Sequence, residues 1–160
     1  MSERPIPPDS FVAHIAVVTA AIGAEDLGPA LEQRLNARFP AGGEWFERAV
    51  ALCREGVRHG WLCAREAGGI KFGRALGAGA PTHGLSIDVV EMDDVVGPHH
   101  VHPQGEIDLV MPLDDVARFD GRSAGWTVYP PGSAHAPTVS RGRALVLYLL
   151  PGGAIEFTRG

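Results

Sequence analysis

The sequence of 160 residues has few cysteines and no excess of positive charge. Its two cysteines, Cys53 and Cys63, are too few for a disulfide framework and form no CxxC pair, so we expect free, buried thiols in a reducing compartment. With 14 Lys and Arg against 19 Asp and Glu, the net charge of -5 argues against binding a nucleic-acid backbone or an anionic membrane surface. The expected partners are small molecules or other protein chains.

Long hydrophobic runs are also missing. The longest, Phe11 to Ala24, is interrupted by His14 and Thr19 and is shorter than the roughly 20 residues of a membrane span. The residues before it include the acids Glu3 and Asp9 rather than the basic start of a secretion signal. We therefore expect a cytoplasmic protein.

The first sixty residues show the three- and four-residue spacing of apolar side chains that is typical of helices. We predict one helix that begins at Asp9 or Ser10, a second from about Leu27 to Phe39, and a third from Glu44 to His59. Residues that end helices follow at Gly23, Pro40 and Gly60. The apolar stripes are Phe11, Ile15, Val18 and Ile22; Leu31, Leu35 and Phe39; and Trp45, Ala49, Leu52 and Cys53.

After Gly60, short apolar segments alternate with turn residues, as in an antiparallel sandwich or barrel. The predicted strands are Trp61–Cys63, Ile70–Phe72, Leu85–Met92, Ile107–Leu113, Trp126–Tyr129, Ala144–Leu150 and Ile155–Thr158. We therefore expect a mainly β fold, with a helical segment over residues 1–60 and an antiparallel β-barrel over residues 61–160. No linker or repeat separates the two, so we expect one folding unit in which the helices cover an outer face or an edge of the barrel.

Four of the seven histidines lie at two places in the β portion. Side chains alternate between the two faces of a strand, so His100 and His102 share a face, whereas His99 points away. Glu106 has the same parity as His100 and His102. A proline–glycine turn precedes His135, which a later strand can bring to the same place. The sequence thus predicts a site of three imidazoles and one carboxylate.

That donor set suits a divalent first-row metal such as Fe, Mn, Ni, Co or Zn. Four protein ligands leave two octahedral positions open for chemistry on a bound substrate. The patterns HxHxxxE over residues 100–106 and PxGxxH over residues 130–135 resemble the two motifs of the cupin superfamily.

The cupin resemblance covers about residues 69–158 and implies that the barrel is a jelly roll. Two turn positions depart from the family pattern: Asp94 stands where glycine is expected, and Val139 stands where asparagine is expected. Neither position binds the metal in that pattern, so the departures bear on the turns alone.

A narrower resemblance extends over nearly the whole chain. The runs GIKFGR (69–74), GPHHVHPQGEID (97–108), GWTVYPPGSAH (125–135) and LLPGGAIEF (149–157) resemble the 4-hydroxylaminobenzoate lyase family. That family converts 4-hydroxylaminobenzoate to 3,4-dihydroxybenzoate with release of ammonia, in bacterial breakdown of nitrobenzoate. The resemblance implies a metal-dependent lyase that acts on this acid or on a related hydroxylamino-aromatic acid.

Breaking the N–O bond of such a substrate requires a Lewis acid or a general acid, because hydroxide is a poor leaving group. The candidate catalytic residues are Glu106, Asp108 and His99. Asp108 shares the parity of Glu106 and is the candidate proton carrier, although a turn hydrogen bond explains it equally well. His99 is a candidate contact to a ligand residue or to the substrate.

A benzoate-type substrate also needs a cation for its carboxylate, preferably a guanidinium. Arg74 is the first candidate and Lys71, on the same predicted strand, is the second. Tyr129 and Trp126 are candidates for stacking on the aromatic ring, although packing in the core is the more common role. Tyr148 lies in an apolar strand, and we expect it in the core.

Two other functions fit the same residues. An Fe(II) cupin dioxygenase acting on a catechol or an aminophenol would use the same ligands, and turnover without oxygen separates it from a lyase. A non-catalytic cupin that binds a small molecule around a structural metal would bind aromatics without consuming them. Pairing through sheet edges is common in single-domain cupins, so the resemblance implies a homodimer.

Overall fold

Three helices precede the strands in the computed structural model, which describes residues 5–158. They are α1 (Asp9–Ile22), α2 (Pro29–Arg38) and α3 (Glu44–His59), so the three predicted helices are confirmed. Gly60 ends α3 with a left-handed φ of 80°, a conformation that glycine adopts without steric cost. Within the described residues, no helix is both long and apolar enough to cross a membrane.

The rest of the chain forms two antiparallel sheets. The larger sheet has seven strands in the order β1-β2-β3-β9-β5-β7, with β6 paired to β9, and the smaller has three in the order β10-β4-β8. The strands are β1 (Arg65–Ala67), β2 (Ile70–Leu76), β3 (Leu85–Val96), β4 (His100–His102), β5 (Glu106–Pro112), β6 (Arg118–Phe119), β7 (Gly125–Tyr129), β8 (Ser133–His135), β9 (Thr138–Pro151) and β10 (Glu156–Phe157).

The larger sheet is buried on both faces, and the alternation of side chains assigns each face a different neighbour. In β5 and in the parts of β3 and β9 that pair with each other from 85 to 92 and from 144 to 151, odd-numbered residues join the side chains of the three helices in one core; they include Ile87, Leu109 and Leu147. Even-numbered residues of the same strands form a second apolar cluster on the opposite face, with Met92 and Val146 among them. The helices and the candidate site therefore use opposite faces of one sheet.

Helix α2 also covers the edge of the larger sheet at β7. The Asn36 amide donates to the Trp126 carbonyl at 2.9 Å and accepts from the Trp126 N–H at 2.8 Å. Glu32 accepts from the Val128 N–H at 2.9 Å. These side chains supply the partners that a neighbouring strand would otherwise provide.

The mainly β, antiparallel fold class is confirmed, but the expectation of a closed barrel needs correction. Within residues 5–158 the strands form two separate sheets of a jelly-roll sandwich rather than one closed barrel. Trp61–Cys63 is also not a strand: it is a bend that joins α3 to β1, and Leu62 and Cys63 turn into the helix-facing core. The two cysteines are free and buried, as expected.

Candidate metal centre and substrate cavity

The smaller sheet and the first residue of β5 bring four predicted ligand residues together. His100 on β4 lies directly opposite His135 on β8, and His102 lies two residues further along β4 on the same face. Glu106 begins β5 and enters the space between the three rings. One ligand atom from each residue lies within 4.8 Å of the others. The metal cluster, meaning His100, His102, Glu106 and His135, thus exists as a spatial unit.

Distances within the metal cluster are those of groups around a shared centre. The Nε2 atoms of His100, His102 and His135 lie 3.5, 3.2 and 3.4 Å from a carboxylate oxygen of Glu106. The Nε2 atoms of His135 and His100 lie 3.2 Å apart. Nε2 of His102 and both Glu106 oxygens are buried with no hydrogen-bond partner among the described residues. Buried polar atoms need a partner, and a divalent cation would satisfy all of them together.

Each of the three histidines is held at Nδ1, the nitrogen that faces away from the centre. His100 Nδ1 lies 3.2 Å from the Pro98 carbonyl, which can only accept. His102 Nδ1 lies 3.0 Å from the Ser133 hydroxyl, which donates its own proton to the Pro130 carbonyl and therefore accepts from the ring. These contacts leave the Nε2 lone pairs directed at the cluster, the arrangement typical of histidines that bind metals.

The electrostatics of the metal cluster favour an ionised carboxylate next to a cation. Burial alone would raise the pKa of Glu106, but its three histidine neighbours outweigh burial and hold the pKa well below its usual range. Burial alone would lower the pKa of His135, but a hydrogen bond to Asp120 and the charge of Glu106 raise that pKa to about 9. Without a metal, the site therefore retains a proton on His135, which a divalent cation would displace.

Asp108 lies next to this centre on the same face of β5. Its side chain is fully buried, and neither oxygen has a hydrogen-bond partner among the described residues. Burial and the nearby charge of Glu106 raise the pKa of the Asp108 carboxyl well above its usual value. A turn hydrogen bond therefore does not account for this residue.

A mostly apolar cavity of about 470 Å³ opens beside the metal cluster, with His100 in its wall. Its volume lies within the range of about 300–1,000 Å³ that is common for small-molecule sites. The even-numbered face of the larger sheet and the chain end at β10 supply its apolar wall: Ile70, Phe72, Val90, Met92, Ile155 and Phe157. Three polar side chains join them: Arg74, Asp88 and Tyr148.

Arg74 lines this cavity, and its guanidinium is hydrogen-bonded to protein groups through Nε and Nη2. Its Nε and Nη2 donate to the two Asp88 oxygens at 2.9 and 3.2 Å, and Nη2 also donates to the Gly153 carbonyl at 3.1 Å. Among residues 5–158, no acceptor binds Nη1. Arg74 therefore keeps donors for a ligand, in a guanidinium whose orientation Asp88 fixes.

The other predicted site residues lie away from the cavity wall. Lys71 is half-exposed and lies 3.8 Å from Glu91. Trp126 is buried on the helix-facing side of the sheet, where its Nε1–H donates to the Phe39 carbonyl. Tyr129 packs against His135 with ring centroids 4.6 Å apart and so contacts the metal cluster. His99 contacts Thr158 through its ring and its carbonyl, on the side away from the cluster.

Sequence reasoning missed the roles of Asp88, Tyr148 and Asp120. Asp88 and Tyr148 face each other across β3 and β9, and Asp108 faces Tyr148 from β5, so the three form one polar row across the sheet. The signal for Asp88 was a charge at an even position of an otherwise apolar strand. Tyr148, expected in the core, lines the cavity. Asp120 follows the two-residue strand β6, and no local pattern points to it.

Comparisons with known proteins agree on one family. Residues 13–157 match the family model described as PnbB: 4-hydroxylaminobenzoate lyase. A 4-hydroxylaminobenzoate lyase of Nocardioides sp. (strain LMS-CY) is 37% identical over 140 residues, which cover 81% of this chain and 82% of that protein. One of Pseudomonas putida is 32% identical over 144 residues, which cover 79% and 82%.

Among solved structures, an oxalate oxidase in complex with the substrate analogue glycolate aligns with a TM-score of 0.44 and 23% identity, over 58% of this chain and 57% of that one. The assignment itself comes from the sequence matches, because the family model covers most of the chain and two relatives exceed 30% identity. The chain belongs to the 4-hydroxylaminobenzoate lyase family.

Proposed function

We propose that this protein is a metal-dependent lyase that converts 4-hydroxylaminobenzoate, or a related hydroxylamino-aromatic acid, to 3,4-dihydroxybenzoate and ammonia. The observation that carries the proposal is the buried metal cluster beside an apolar cavity that also presents a guanidinium. The reaction consumes one water, breaks the N–O bond, the C–N bond and one ring C–H bond, and forms two C–O bonds, while the nitrogen and its protons leave as ammonia. Its atoms and electrons balance without an oxidant or a reductant.

The metal cluster would hold the ion through three neutral imidazoles and one carboxylate. A divalent metal bound there would supply Lewis acidity toward an oxygen of the substrate or of water. The contacts at Nδ1 orient the three rings before any ion arrives. Because His100 also lies in the cavity wall, the ligand set borders the space in which a substrate would bind.

The cavity supports binding of an aromatic carboxylate. Its apolar walls would cover the ring and exclude water. Arg74 would bind the carboxylate through Nη1, since its other donors are engaged by Asp88 and Gly153. In this proposal, β2 would recognise the acid, and the reacting group would lie toward His100 on β4.

Asp108 is the proposed proton carrier. Its burial beside Glu106 and its two unpartnered oxygens support this role, and its cross-strand neighbour Tyr148 lines the cavity. The Asp108 carboxyl would give its proton to the departing hydroxylamino oxygen as the N–O bond breaks. In Asp108→Asn, which keeps the shape but not the acidity, we expect turnover to fall at least tenfold while metal content stays that of the wild type.

Metal analysis combined with a turnover assay tests the proposal. Purified protein would be analysed for bound metal and incubated with 4-hydroxylaminobenzoate without oxygen, with ammonia and 3,4-dihydroxybenzoate measured over time. We expect both products. We also expect His100→Ala and His135→Ala to lose both metal and turnover, whereas His59→Ala, on the exposed end of α3, keeps both.

Three results would contradict the proposal, each in a different way. Turnover that stops without oxygen would indicate a dioxygenase. Metal-loaded protein that binds aromatic acids without consuming them would indicate a binding protein. Full activity in a metal-free His100→Ala variant would refute the role of the metal cluster.

We also propose that the protein is a cytoplasmic homodimer in which residues 1–60 and 61–160 fold as one unit. The shared core of helix and sheet side chains supports the single unit. A single cooperative unfolding transition followed by two probes, one of helix and one of tertiary structure, is the expected result. Sedimentation of the purified protein would give its oligomeric state.

A further inference from the structure

A carboxylate outside the metal cluster holds one of its histidines. Asp120 Oδ2 accepts hydrogen bonds from His135 Nδ1 at 2.5 Å and from the Tyr129 hydroxyl at 2.6 Å. Its other oxygen accepts from the Thr138 N–H at 2.9 Å. Asp120 thereby ties together the end of β7, the end of β8 and the start of β9.

We infer that Asp120 is a positioning residue for the metal site, acting through His135. By accepting at Nδ1, its carboxylate keeps the proton on that nitrogen and directs the Nε2 lone pair at the metal cluster. The inference rests on the proposed metal-dependent function and extends it to a residue beyond the four ligands.

The three histidines differ in the acceptor that holds Nδ1. A carbonyl holds His100, a hydroxyl holds His102, and a charged carboxylate holds His135. Hydrogen bonds to a charged acceptor are roughly twice as strong as neutral ones and make the imidazole a better electron donor. His135 is also the most exposed of the three, with 12% of its side chain accessible, so it has the least packing to hold its ring. The charged acceptor therefore holds the histidine whose ring orientation is least restricted by packing.

The hairpin turn at position 120 explains why a residue such as aspartate stands there, but it does not explain the hydrogen bond to His135. Asp120 and Gly121 have φ of 49° and 78° and form a two-residue hairpin turn between Phe119 and Arg122. Asp–Gly and Asn–Gly are the preferred pairs for such turns. The turn alone would be satisfied by asparagine or glycine at position 120. Only an acid also offers a charged oxygen to His135.

This distinction gives a test in which the turn is preserved. Asp120→Asn and Asp120→Gly both tolerate the left-handed backbone at this position. The affinity of each variant for Co²⁺ and Zn²⁺ would be measured by titration of the metal-free protein, following the visible absorption of Co²⁺. We expect Asp120→Gly to bind about 10–100-fold more weakly than the wild type. Asp120→Asn should lie between the two, because its amide oxygen still accepts from Nδ1–H.

Tyr129→Phe is the control for the second hydrogen bond to Asp120. It removes the phenol and leaves the Asp120–His135 contact in place, so we expect a smaller loss of affinity than in Asp120→Gly. A second readout is the proton spectrum of the Zn²⁺-loaded protein. The His135 Nδ1–H, assigned in the Zn²⁺-loaded wild type by ¹⁵N labelling of the histidine rings, should resonate far downfield in the wild type and disappear or move upfield in Asp120→Gly.

Several outcomes would overturn the inference. One is a folded Asp120→Gly that binds Co²⁺ as tightly as the wild type, even if the thermal stability of its metal-free form is lower. Another is Tyr129→Phe losing as much affinity as Asp120→Gly. If the wild-type protein binds neither Co²⁺ nor Zn²⁺, the proposed metal site and this inference are refuted together. If the wild type and Asp120→Gly bind the metals equally tightly, only this inference is refuted.

Discussion

The contact between α2 and the edge strand β7 gives a prediction about stability. Asn36 forms two hydrogen bonds, of 2.9 and 2.8 Å, to the carbonyl and N–H of Trp126. Asn36→Ala leaves both backbone groups without a partner. An unsatisfied buried polar group costs about 1–3 kcal/mol, and Asn36 is half-buried, so water replaces part of the loss. We expect unfolding free energy to fall by about 2 kcal/mol, the low end for two such groups.

Thermal and urea unfolding of the purified protein would measure this change. For a domain of this size, each kcal/mol shifts Tm by about 2–4 °C, so we expect Asn36→Ala to lower Tm by about 4–8 °C. Gln33→Ala is the matched control, since Gln33 is exposed on the same helix and should change stability by less than about 0.5 kcal/mol. If both variants unfold like the wild type, α2 does not stabilise the sheet edge through Asn36.

The remaining predictions concern the cavity and one half-buried histidine. Arg74→Gln should raise KM for the aromatic acid roughly 10- to 150-fold, since a hydrogen bond to a charged group is worth about 1.5–3 kcal/mol; an unchanged KM would exclude Arg74 from carboxylate binding. Because Tyr148 lines the cavity, we expect its hydroxyl to donate a hydrogen bond to the bound acid, so Tyr148→Phe should lower kcat/KM by about fivefold, which corresponds to about 1 kcal/mol, with unchanged Tm. His14 stacks on Trp45 with ring centroids 4.7 Å apart, and its Nε2 contacts the Trp45 carbonyl at 2.9 Å. Burial lowers the pKa of His14 from its ordinary value of 6.5. The unfolded chain then takes up the proton first, so stability falls as the pH drops below 6.5. His14→Gln should lose less stability than the wild type between pH 7.5 and 5.5 in unfolding experiments, and equal losses would refute this.

The helices and the shared face of His100 and His102 could be predicted from the sequence because both depend on local rules. Apolar spacing and stop residues determined the helix bounds, so that α3 runs from Glu44 to His59 as predicted. Strand parity predicted that His100 and His102 share a face, and this argument needs only neighbouring residues. His135 lies 35 residues beyond His100 in the chain, and its place opposite His100 was expected from the resemblance to the two cupin motifs rather than from a local rule.

The parts that could not be predicted depend on pairing between distant strands. Trp126 and Tyr129 are three residues apart in one strand and point to opposite faces, so parity separates them, but only the sheet order shows that the Trp126 face is covered by helices. Tyr148 lines a cavity because β9 lies between β3 and β5. Asp120 reaches His135 across a gap of 15 residues, through a hairpin turn that carries no ligand signal.

Strand β9 places a constraint on how this protein can change during evolution. Leu145, Leu147 and Leu149 pack toward the helices, while Val146 and Tyr148 face the cavity side. Insertion or deletion of one residue in this strand would exchange the two sets, placing leucines at the cavity and a phenol in the helical core. Substrate preference can therefore drift by substitution at even positions of β9, whereas changes of length must be confined to the loops.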